Sequence, residues 1–396
     1  MKDIVIIANF TRDFSETDNG RFMYLCKQLS QNNNVEIITS DFNHLTKAHK
    51  EIVELEWNFK ITYLHEPGYN KNISLKRLRS HRLWGIEVLK YIENRNNPDV
   101  IYCSLPSLTA PLKVSEYCKD NGIRFIIDIQ DLWPEAFKLA FNVPIISNIV
   151  YAPFLEMEDK IYKNSDEICG VSETYVNRAV EVNENLSKGH VVFLGTELKT
   201  FDKFSSEKPI INKKENEFWL GYCGSLSSSY DLNCAIRALK LLKDKGLTPP
   251  KFIVMGDGPK KNEFENLANE YNIESIFTGK LSYDKMCSLL CECDIVINPI
   301  EGGAAQSIIN KHGDYAASGL PVINTQENEE YKNLVDNYNM GINCENGNFR
   351  EVAEKINFLI ENDEIRFELG KGSRRCAVEK FDRENTYKEL IDTILT

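Results

Sequence analysis

Short runs of β-branched residues alternate with amphipathic segments along the whole chain. In the first half the predicted strands read DIVIIANF, NVEIITSDF, KITYLHE, DVIYCSLP, RFIIDIQD, EICGVS and VVFLGT. Most of them are apolar at nearly every position, which is typical of parallel strands covered by helices on both faces. The segments between them, such as GRFMYLCKQLSQ and PLKVSEYCKDNG, have helical periodicity. This alternation predicts βαβ units and a doubly wound sheet.

A polar segment interrupts the alternation near the middle of the chain. Residues 201–217 are charged and show no strand pattern, so we interpret them as a linker. The alternation then resumes with FWLGYCG, KFIVMGDG, SIFTGK, DIVINPI, LPVINT and MGINCE. A chain of 396 residues also exceeds what one hydrophobic core usually organises. We therefore expect two Rossmann-like α/β domains, residues 1–200 and 218–381, with a final helix in 382–396 that packs back on one of them, by our assignment the first.

The charge balance excludes one large class of partner. A net charge of -12 argues against a general nucleic-acid binder, which needs a basic face. One stretch departs from this balance, because Lys71–Arg82 contains five basic residues and no acid. It is either a solvated loop and helix start, or a patch that faces anionic lipid or a phosphorylated acceptor. The basic residues of this patch are Lys71, Lys76, Arg77, Arg79 and Arg82.

Cysteines and hydrophobic runs give little sign of a metal centre or a membrane span. The eleven cysteines have no repeated spacing, and the one cluster, CSLLCEC, has no histidine nearby, so we expect buried reduced thiols and no metal. The opening MKDIVIIANF reaches polar residues after one strand, unlike a signal peptide. No run approaches ~18 apolar residues. We expect a cytoplasmic protein.

Two polar segments of the first domain follow predicted strands, where parallel sheets bind their ligands. The loop ANFTRDFSETDNGR lacks the G-x-G-x-x-G pattern of dinucleotide-binding folds, so NAD is not expected. Its Asn19 and Gly20 either form a turn and cap or receive a polar ligand at a helix N-terminus. In DIQDLWPEAF, Asp131 and Glu135 are candidates for the site, although capping alone could explain Asp131.

Glycine-rich turns follow two strands of the second domain. In GYCGSLSSSYD, backbone N–H groups and hydroxyls from Ser225 onward could meet a phosphate. In VMGDGPKK, Gly256 and Gly258 would let a ligand approach the backbone. Each turn is weak by itself, because strand-to-helix turns favour glycine in any case.

The segment NPIEGGAAQSIINKHGDYAASGLP carries the strongest signal. Glu301, Gly302 and Gly303 directly follow a strand, and Ser307 is placed to cap a helix that ends near Gly319. The helix spacing allows Asn310, Lys311 and Asp314 to share one face. A surface ion pair between Lys311 and Asp314 would contribute only tenths of a kcal/mol, roughly, and would not explain the glycines. The chain has no D-x-D triad, so we expect Lys311 and the helix N-termini near Ser225–Ser228 and Gly303–Ser307 to neutralise a diphosphate without metal.

These motifs, taken in order, resemble those of family 4 glycosyltransferases of bacterial polysaccharide assembly, which have the GT-B fold. The match runs from DIQDLWPEAF through GYCGSLSSSYDL, GDGP and FTGKLSYDKM to NKHGDYAASGLPVI. The resemblance implies two Rossmann-like domains facing a central cleft and a nucleotide-sugar donor held by the C-terminal one. It also implies transfer with retention of configuration. Lys280, in FTGKLSYDKM, becomes a further donor-side candidate.

Three positions depart from the family pattern. Two acids separated by seven residues are common before GLP, but here the first position is Gln306 and only Asp314, the expected ribose ligand, is acidic. An Arg/Lys pair that often clamps the diphosphate is replaced by Ser225 and Tyr230. Many relatives have histidine where this chain has Gln130.

The resulting hypothesis is a retaining, metal-independent glycosyltransferase that needs no cofactor. We expect a UDP-linked and possibly N-acetylated donor sugar, and a lipid-linked saccharide acceptor in capsule or O-antigen type assembly, with the basic patch at the inner membrane face. Lys311 would assist the leaving group and Asp131 would orient the acceptor or the sugar. The alternatives are a UDP-sugar epimerase of the same fold and a nucleotide-sugar-binding subunit without catalysis.

Overall fold

The computed structural model describes residues 1–12, 14, 20–52, 56–72, 74–133, 144–303 and 308–396, with only the backbone of 144–150. They form two compact units. The first comprises Met1–Phe193 and Tyr387–Thr396, and the second comprises Leu194–Thr386. The first unit is therefore built from two separate stretches of the chain.

The first unit contains a seven-stranded parallel sheet. Its strands are β1 (Asp3–Ala8), β2 (Asn34–Ser40), β5 (Lys60–Leu64), β6 (Val100–Leu105), β7 (Arg124–Ile129), β8 (Glu167–Gly170) and β9 (His190–Val191). They lie in the order β5-β2-β1-β6-β7-β8-β9, which is the doubly wound order that the alternating pattern predicts. Two short strands, β3 (Phe42–Asn43) and β4 (Ala48–His49), form an antiparallel hairpin after β2.

Helices connect these strands. They are α1 (Arg21–Leu29), α2 (Leu75–Glu93), α3 (Thr109–Asn121), α4 (Pro144–Lys163) and α5 (Glu173–Val180), with α15 (Lys388–Leu395) from the end of the chain. Residues of the central strands such as Ile4, Ile6 and Ile126 are fully buried, because helices cover both faces of the sheet.

A buried ion pair joins the start of α1 to the carboxyl end of β7. The Arg21 guanidinium donates to both carboxylate oxygens of Asp128, at 3.0 and 2.8 Å, and both side chains are almost fully buried. It also donates to the hydroxyls of Tyr102, at 3.2 Å, and Tyr387, at 3.0 Å. The guanidinium therefore connects α1, two strands and the returning C-terminal segment, and a buried charge needs such a complete set of partners.

The second unit contains a six-stranded parallel sheet. Its strands are β10 (Trp219–Cys223), β11 (Lys251–Met255), β12 (Ser275–Gly279), β13 (Ile295–Asn298), β14 (Val322–Asn324) and β15 (Gly341–Asn343). Their order, β12-β11-β10-β13-β14-β15, is again doubly wound. Asn298, Asn324 and Asn343 end three adjacent strands in register. Their side-chain amides form a ladder, since Asn298 donates to Asn324 at 2.9 Å and Asn324 donates to Asn343 at 2.8 Å.

The helices of the second unit include one that the sequence did not predict. They are α6 (Leu198–Ser205), α7 (Leu232–Asp244), α8 (Lys261–Glu270), α9 (Tyr283–Leu290), α10 (Asn310–Ser318), α11 (Glu329–Tyr338), α12 (Phe349–Glu361), α13 (Asp363–Cys376) and α14 (Arg383–Thr386). Helix α6 covers the first part of the segment interpreted as a linker, residues 201–217, and the units divide at Phe193 and Leu194. Leu198 and Phe201 are buried, so two apolar contacts stabilise a helix in a mostly polar stretch.

Within the described part of the chain, no helix combines the length and apolar character needed to cross a bilayer. The eleven cysteines are unpaired, and all of them except Cys291 are buried. Burial raises the pKa of thiols such as Cys223, to about 12. They therefore behave as small apolar side chains.

Candidate functional site

The loops after β10 and β11 pack directly against each other in the second unit. A Cβ atom on Gly256 would lie 1.8 Å from the carbonyl oxygen of Gly224, and one on Gly258 would lie 2.4 Å from that of Leu226. Backbone N–H groups of Gly224 and Leu226 donate, at 3.0 and 2.9 Å, to one carbonyl at the end of β11 and one in the loop after it. The space beside Gly256 and Gly258 is therefore occupied by the neighbouring loop. The contact between the two loops is enough to explain why glycine occupies both positions. A bound ligand on that side is not needed to explain them.

Lys311, the second residue of α10, is buried against the loop after β10. Its ammonium nitrogen lies 4.3 Å from the ring centroid of Tyr222 and 3.9 Å from that of Tyr230. A Cβ atom on Gly224 would lie 3.1 Å from the same nitrogen. Lys311 is 6% exposed, and its ammonium has no hydrogen-bond partner among the described residues. Burial lowers the pKa of this lysine to about 7, because the ammonium loses its contact with water.

Asp314 lies one turn further along α10 and has a different environment. The hydroxyl of Tyr283 donates to its Oδ1 at 2.8 Å and lies 2.7 Å from Oγ1 of Thr196. Burial raises the pKa of Tyr283, as does the nearby Asp314 carboxylate. Lys311 and Asp314 therefore contact different groups, the first at β10 and its following loop, the second at α9.

Helix α10 begins later than the sequence suggested. Its first residue is Asn310 and its N-cap residue is Ile309, so Ser307 is not the cap. The Nδ1 atom of His312 accepts the backbone N–H of Ile309 at 3.2 Å, and the imidazole stacks on the Tyr331 ring with centroids 3.5 Å apart. The helix ends at Gly319 with a left-handed φ of 67°, as predicted. Gln306 and Ser307 lie outside the described residues.

The turn after β13 contacts three other loops, which follow β10, β14 and β15. Glu301 is exposed, and its backbone N–H donates to the Ser229 carbonyl at 3.0 Å. The backbone N–H of Gly303 donates to Glu327 Oε2 at 3.2 Å, with a φ of 73° that favours glycine. A Cβ atom on Gly302 would lie 2.9 Å from Oδ1 of Asn346. Partial burial of its carboxyl group raises the pKa of Glu301, and the charge of Asp231 raises it further.

The remaining donor-side candidates are exposed. Ser225 accepts the Tyr222 hydroxyl at its carbonyl oxygen, at 2.7 Å, and so holds that ring beside Lys311. The helix expected near Ser225–Ser228 begins only at Leu232, where the Asp231 side chain caps it. Lys280 and Asn310 are exposed at the end of β12 and the start of α10.

The candidates of the first unit have mainly structural partners. The Gln130 side chain donates to Asp128 Oδ2 at 2.9 Å, and so completes the buried Arg21 ion pair. Gly20 is the N-cap residue of α1 and has an ordinary φ of -89°. Asn19 and Glu135 lie outside the described residues.

Arg77 does not belong to an exposed basic patch, contrary to the sequence prediction. It is 8% exposed, and its guanidinium carbon lies 4.5 Å from the ring centroid of Trp133, with Phe10 and Tyr69 also close. Burial lowers the pKa of Arg77, and half-buried Asp131 is one of the groups that oppose this shift. The patch therefore consists of the other four residues, which are exposed: Lys71, Lys76, Arg79 and Arg82.

Sequence reasoning missed the tyrosines that build the site. Tyr222 and Tyr230 enclose Lys311, and Tyr283 positions Asp314. Tyr315 donates to the Ile297 carbonyl at 3.1 Å and accepts from the Cys223 N–H at 3.0 Å, so it ties β10 to β13. The replacement of an expected basic residue by Tyr230 was the one available signal.

Comparisons with known proteins agree with this architecture. Residues 203–375 match the family described as glycosyl transferases group 1. An uncharacterized glycosyltransferase of Methanocaldococcus jannaschii is 25% identical over 236 residues, 58% of each chain. The capsular polysaccharide biosynthesis glycosyltransferase CapM of Staphylococcus aureus is 24% identical over 238 residues, 57% of this chain and 60% of CapM. The alignments thus span about three fifths of these curated relatives.

Solved structures share the fold at low sequence identity. Sucrose-phosphate synthase from Thermosynechococcus elongatus superposes with a TM-score of 0.75, at 14% identity, over 99% of this chain and 98% of that one. Anabaena HepE in complex with UDP-glucose has a TM-score of 0.68 at 14% identity, over 100% and 99%. WaaG, a glycosyltransferase involved in lipopolysaccharide biosynthesis, has a TM-score of 0.70 at 14% identity, over 99% of each chain.

Residues 203–375 therefore carry a glycosyl transferases group 1 domain, within a chain that has the two-domain α/β GT-B fold.

Proposed function

We propose that this chain is a glycosyltransferase that takes its sugar from a nucleotide diphosphate sugar bound by the second unit. The observation that carries the proposal is Lys311, whose buried ammonium has no hydrogen-bond partner among the described residues. An uncompensated buried charge costs several kcal/mol, roughly, so the position favours an anionic ligand. Lys311 lies beside Gly224, at the carboxyl end of β10, where parallel sheets bind nucleotides.

The proposed chemistry uses this charge on the leaving group. As the bond between the anomeric carbon and the diphosphate oxygen breaks, negative charge grows on the departing phosphate, and the Lys311 ammonium stabilises it. An acceptor hydroxyl forms the new bond on the same face, with retention of configuration, and its proton passes to the departing diphosphate. Asp314 binds the ribose through the carboxylate that Tyr283 orients. Asp131 orients the acceptor or the transferred sugar. No metal or cofactor takes part.

The relatives support particular substrates. HepE has been solved with UDP and with UDP-glucose, which favours a UDP-linked donor. CapM is named for capsular polysaccharide and WaaG for lipopolysaccharide, which favours a saccharide acceptor carried on a lipid. We therefore assign the chain to the assembly of a surface polysaccharide at the inner membrane face.

A face of α2 suits contact with such a membrane. Leu75, Arg79 and Arg82 are spaced to share one side of the helix, and Leu75 is 84% exposed. Exposed Lys71 and Lys76 lie beside them in sequence. An apolar side chain among basic ones is typical of helices that dock on anionic lipid.

A thermal-shift screen across nucleotide sugars tests the donor. Stabilisation by one UDP-sugar, lost in Lys311→Ala, supports the proposal, and an equal shift in both proteins contradicts the role of Lys311.

NMR of UDP-N-acetylhexosamine incubated alone then separates the alternatives, because an epimerase produces the epimer without an acceptor. Tight UDP binding without transfer to any lipid-linked saccharide would indicate a non-catalytic subunit.

A further inference from the structure

Three side chains with metal-ligating atoms meet at the carboxyl edge of the first sheet. Asp41 follows β2, His49 ends β4 of the hairpin, and His65 follows β5. One ligand atom from each lies within 4.8 Å of the other two. His65 Nδ1 is 2.9 Å from Asp41 Oδ2, and His49 Nε2 is 3.9 Å from Asp41 Oδ1. The proposed donor chemistry uses none of the three.

The separations suit a small divalent ion. Ligands of tetrahedral zinc, bonded at about 2.0–2.1 Å, lie roughly 3.3 Å from one another, and the two measured distances bracket that value. The two imidazoles are already nearly parallel, with centroids 5.3 Å apart and planes 13° apart. Both rings are exposed, so each can rotate by a small angle and water can reach the site.

Glu66 contacts two of the three ligands. Its backbone N–H donates to Asp41 Oδ1 at 2.8 Å, and its carbonyl oxygen lies 2.9 Å from His49 Nε2. Its own buried carboxylate accepts from Asn9 at 3.0 Å and from Ser40 at 2.6 Å. The hydrogen bond to Asp41 orients that ligand and raises metal affinity, whereas the bond at His49 Nε2 is replaced when this nitrogen binds the metal.

We propose that Asp41, His49 and His65 bind a divalent transition metal of the zinc class, which fastens the β3–β4 hairpin to the end of β5. Two imidazoles and one carboxylate favour zinc over magnesium or calcium, which prefer all-oxygen sites. The Glu66 carbonyl or a water supplies the fourth ligand. The ligand atoms are His49 Nε2 and His65 Nδ1, so each metal-bound ring carries its proton on the other nitrogen.

The hairpin connects this site to the aromatic cluster of the first unit. His44, in the hairpin turn, makes a 2.5 Å hydrogen bond between its Nδ1 and the Tyr69 hydroxyl. Lys47, in the same turn, lies 4.8 Å from the Tyr69 ring centroid. Tyr69 in turn contacts Arg77, whose guanidinium covers Trp133. The metal therefore orders the side chains around Arg77 without entering the donor site.

Isothermal titration of the tag-free, chelator-treated chain with Zn²⁺ tests the site. We expect one strong site per chain in the wild type, and an affinity at least ~10-fold lower in His49→Ala and His65→Ala, since even second-shell changes cost 10–100-fold. His190→Ala is the matched control. Its two carboxylate partners, Glu167 at 3.3 Å and Glu389 at 3.0 Å, lie at opposite ring nitrogens, where one ion cannot join all three.

Two further measurements separate metal binding from misfolding. With Co²⁺, the wild type and His190→Ala should show the absorption spectrum of a nitrogen- and oxygen-ligated site. Asp41→Asn should not show this spectrum. Hydrogen exchange of the backbone amides in residues 42–49 should slow on addition of Zn²⁺ but not Mg²⁺. Equal Zn²⁺ affinity in the wild type and the His49→Ala/His65→Ala double variant, or unchanged exchange in the hairpin, would overturn the proposal.

Discussion

The ammonium nitrogen of Lys311 lies 3.9 Å from the centroid of the Tyr230 ring, at a position where the resemblance led us to expect a basic residue. Tyr222 contributes a second ring at 4.3 Å. Aromatic faces attract a cation, but they replace neither water nor a counter-ion in full. The lysine is therefore held in place while its charge remains available to a ligand.

Donor affinity should depend on pH through this lysine. Burial lowers the pKa of free Lys311 to about 7, and a diphosphate favours the charged form, so binding above pH 7 must take up a proton. We expect the affinity for UDP-glucose to be nearly constant below that pH and to fall by roughly tenfold per pH unit above it. UDP-glucose is the suitable probe because its diphosphate does not titrate in this range.

Calorimetry in buffers of different ionisation enthalpy measures the proton uptake directly. Lys311→Met should bind the donor weakly, with no proton uptake and a flat pH profile. If Lys311→Met keeps the pH dependence of the wild type, another group titrates.

The same burial predicts an effect on stability. The unfolded chain holds the Lys311 proton up to about pH 10.5 and the folded chain only to about pH 7, so the lysine destabilises the fold most below pH 7. We expect Lys311→Met to raise the free energy of unfolding by about 1–3 kcal/mol near neutral pH, because it removes an unpaired buried charge. Urea unfolding at about pH 6 and about pH 9.5 measures the free energy of unfolding of both proteins. The difference between Lys311→Met and the wild type should be smaller at the higher pH. A constant difference would exclude Lys311 as the titrating group.

We expect Asp314 to bind the ribose hydroxyls of the donor. A hydrogen bond to a charged group contributes about 1.5–3 kcal/mol, so Asp314→Asn should weaken UDP binding by roughly 10–100-fold. Tyr283→Phe should have a smaller effect, since it keeps the Asp314 carboxylate and removes the hydroxyl that orients it at 2.8 Å. Calorimetry with UDP and 2′-deoxy-UDP provides the control. If Asp314→Asn discriminates between the two as strongly as the wild type does, Asp314 does not contact the sugar.

Hydrophobic periodicity was sufficient to predict the sheets, because a parallel strand covered on both faces must be apolar along its length. The runs DIVIIA and KFIVM became β1 and β11. Strand ends also located the turns after β10 and β13. These features depend on local sequence, and local sequence was enough to find them.

Tertiary partners could not be predicted in the same way. Arg77 looked like a solvated basic residue, but Phe10, Tyr69 and Trp133 come from three other parts of the chain to cover it. Helix α6 was missed because burial of Leu198 and Phe201 outweighs the polar composition around them. The tyrosine bonded to Asp314 lies 31 residues away in sequence, so no motif could pair them.

The packed loops of the second unit provide a test of rigidity. Gly256→Ala would place a Cβ atom 1.8 Å from the Gly224 carbonyl oxygen, so the loop beside Lys311 must move. We expect a loss of at least about 1–3 kcal/mol in stability and a parallel loss of UDP affinity. Gly313→Ala is the matched control in α10. Its Cβ would meet ordinary contacts at 3.4 Å, and alanine favours a helix by about 0.5–1 kcal/mol. Equal melting temperatures in the two variants would contradict this packing.

We expect the affinity for anionic lipid to depend on the exposed basic residues of α2. Each basic residue near an anionic surface contributes about 1 kcal/mol, so Lys76→Ala/Arg79→Ala/Arg82→Ala should bind vesicles rich in phosphatidylserine at least tenfold more weakly. Co-sedimentation measures the affinity. The control is Lys90→Ala, which removes an exposed lysine from the last turn of the same helix. Binding that ignores the anionic lipid content, or is equal in all three proteins, would exclude this docking face.

The Arg21 ion pair also bears on the order in which the chain folds. Ribosomes deliver Tyr387–Thr396 only after the whole of Leu194–Thr386, so the second unit is complete while the first still lacks its last helix. Until then the guanidinium of Arg21 lacks the Tyr387 hydroxyl that it later bonds at 3.0 Å. The first unit, most of which is synthesised earlier, therefore cannot complete its fold until the second unit has been synthesised. A nascent chain stalled before Tyr387 would present to chaperones a first unit that lacks its last helix, while the second unit is already complete.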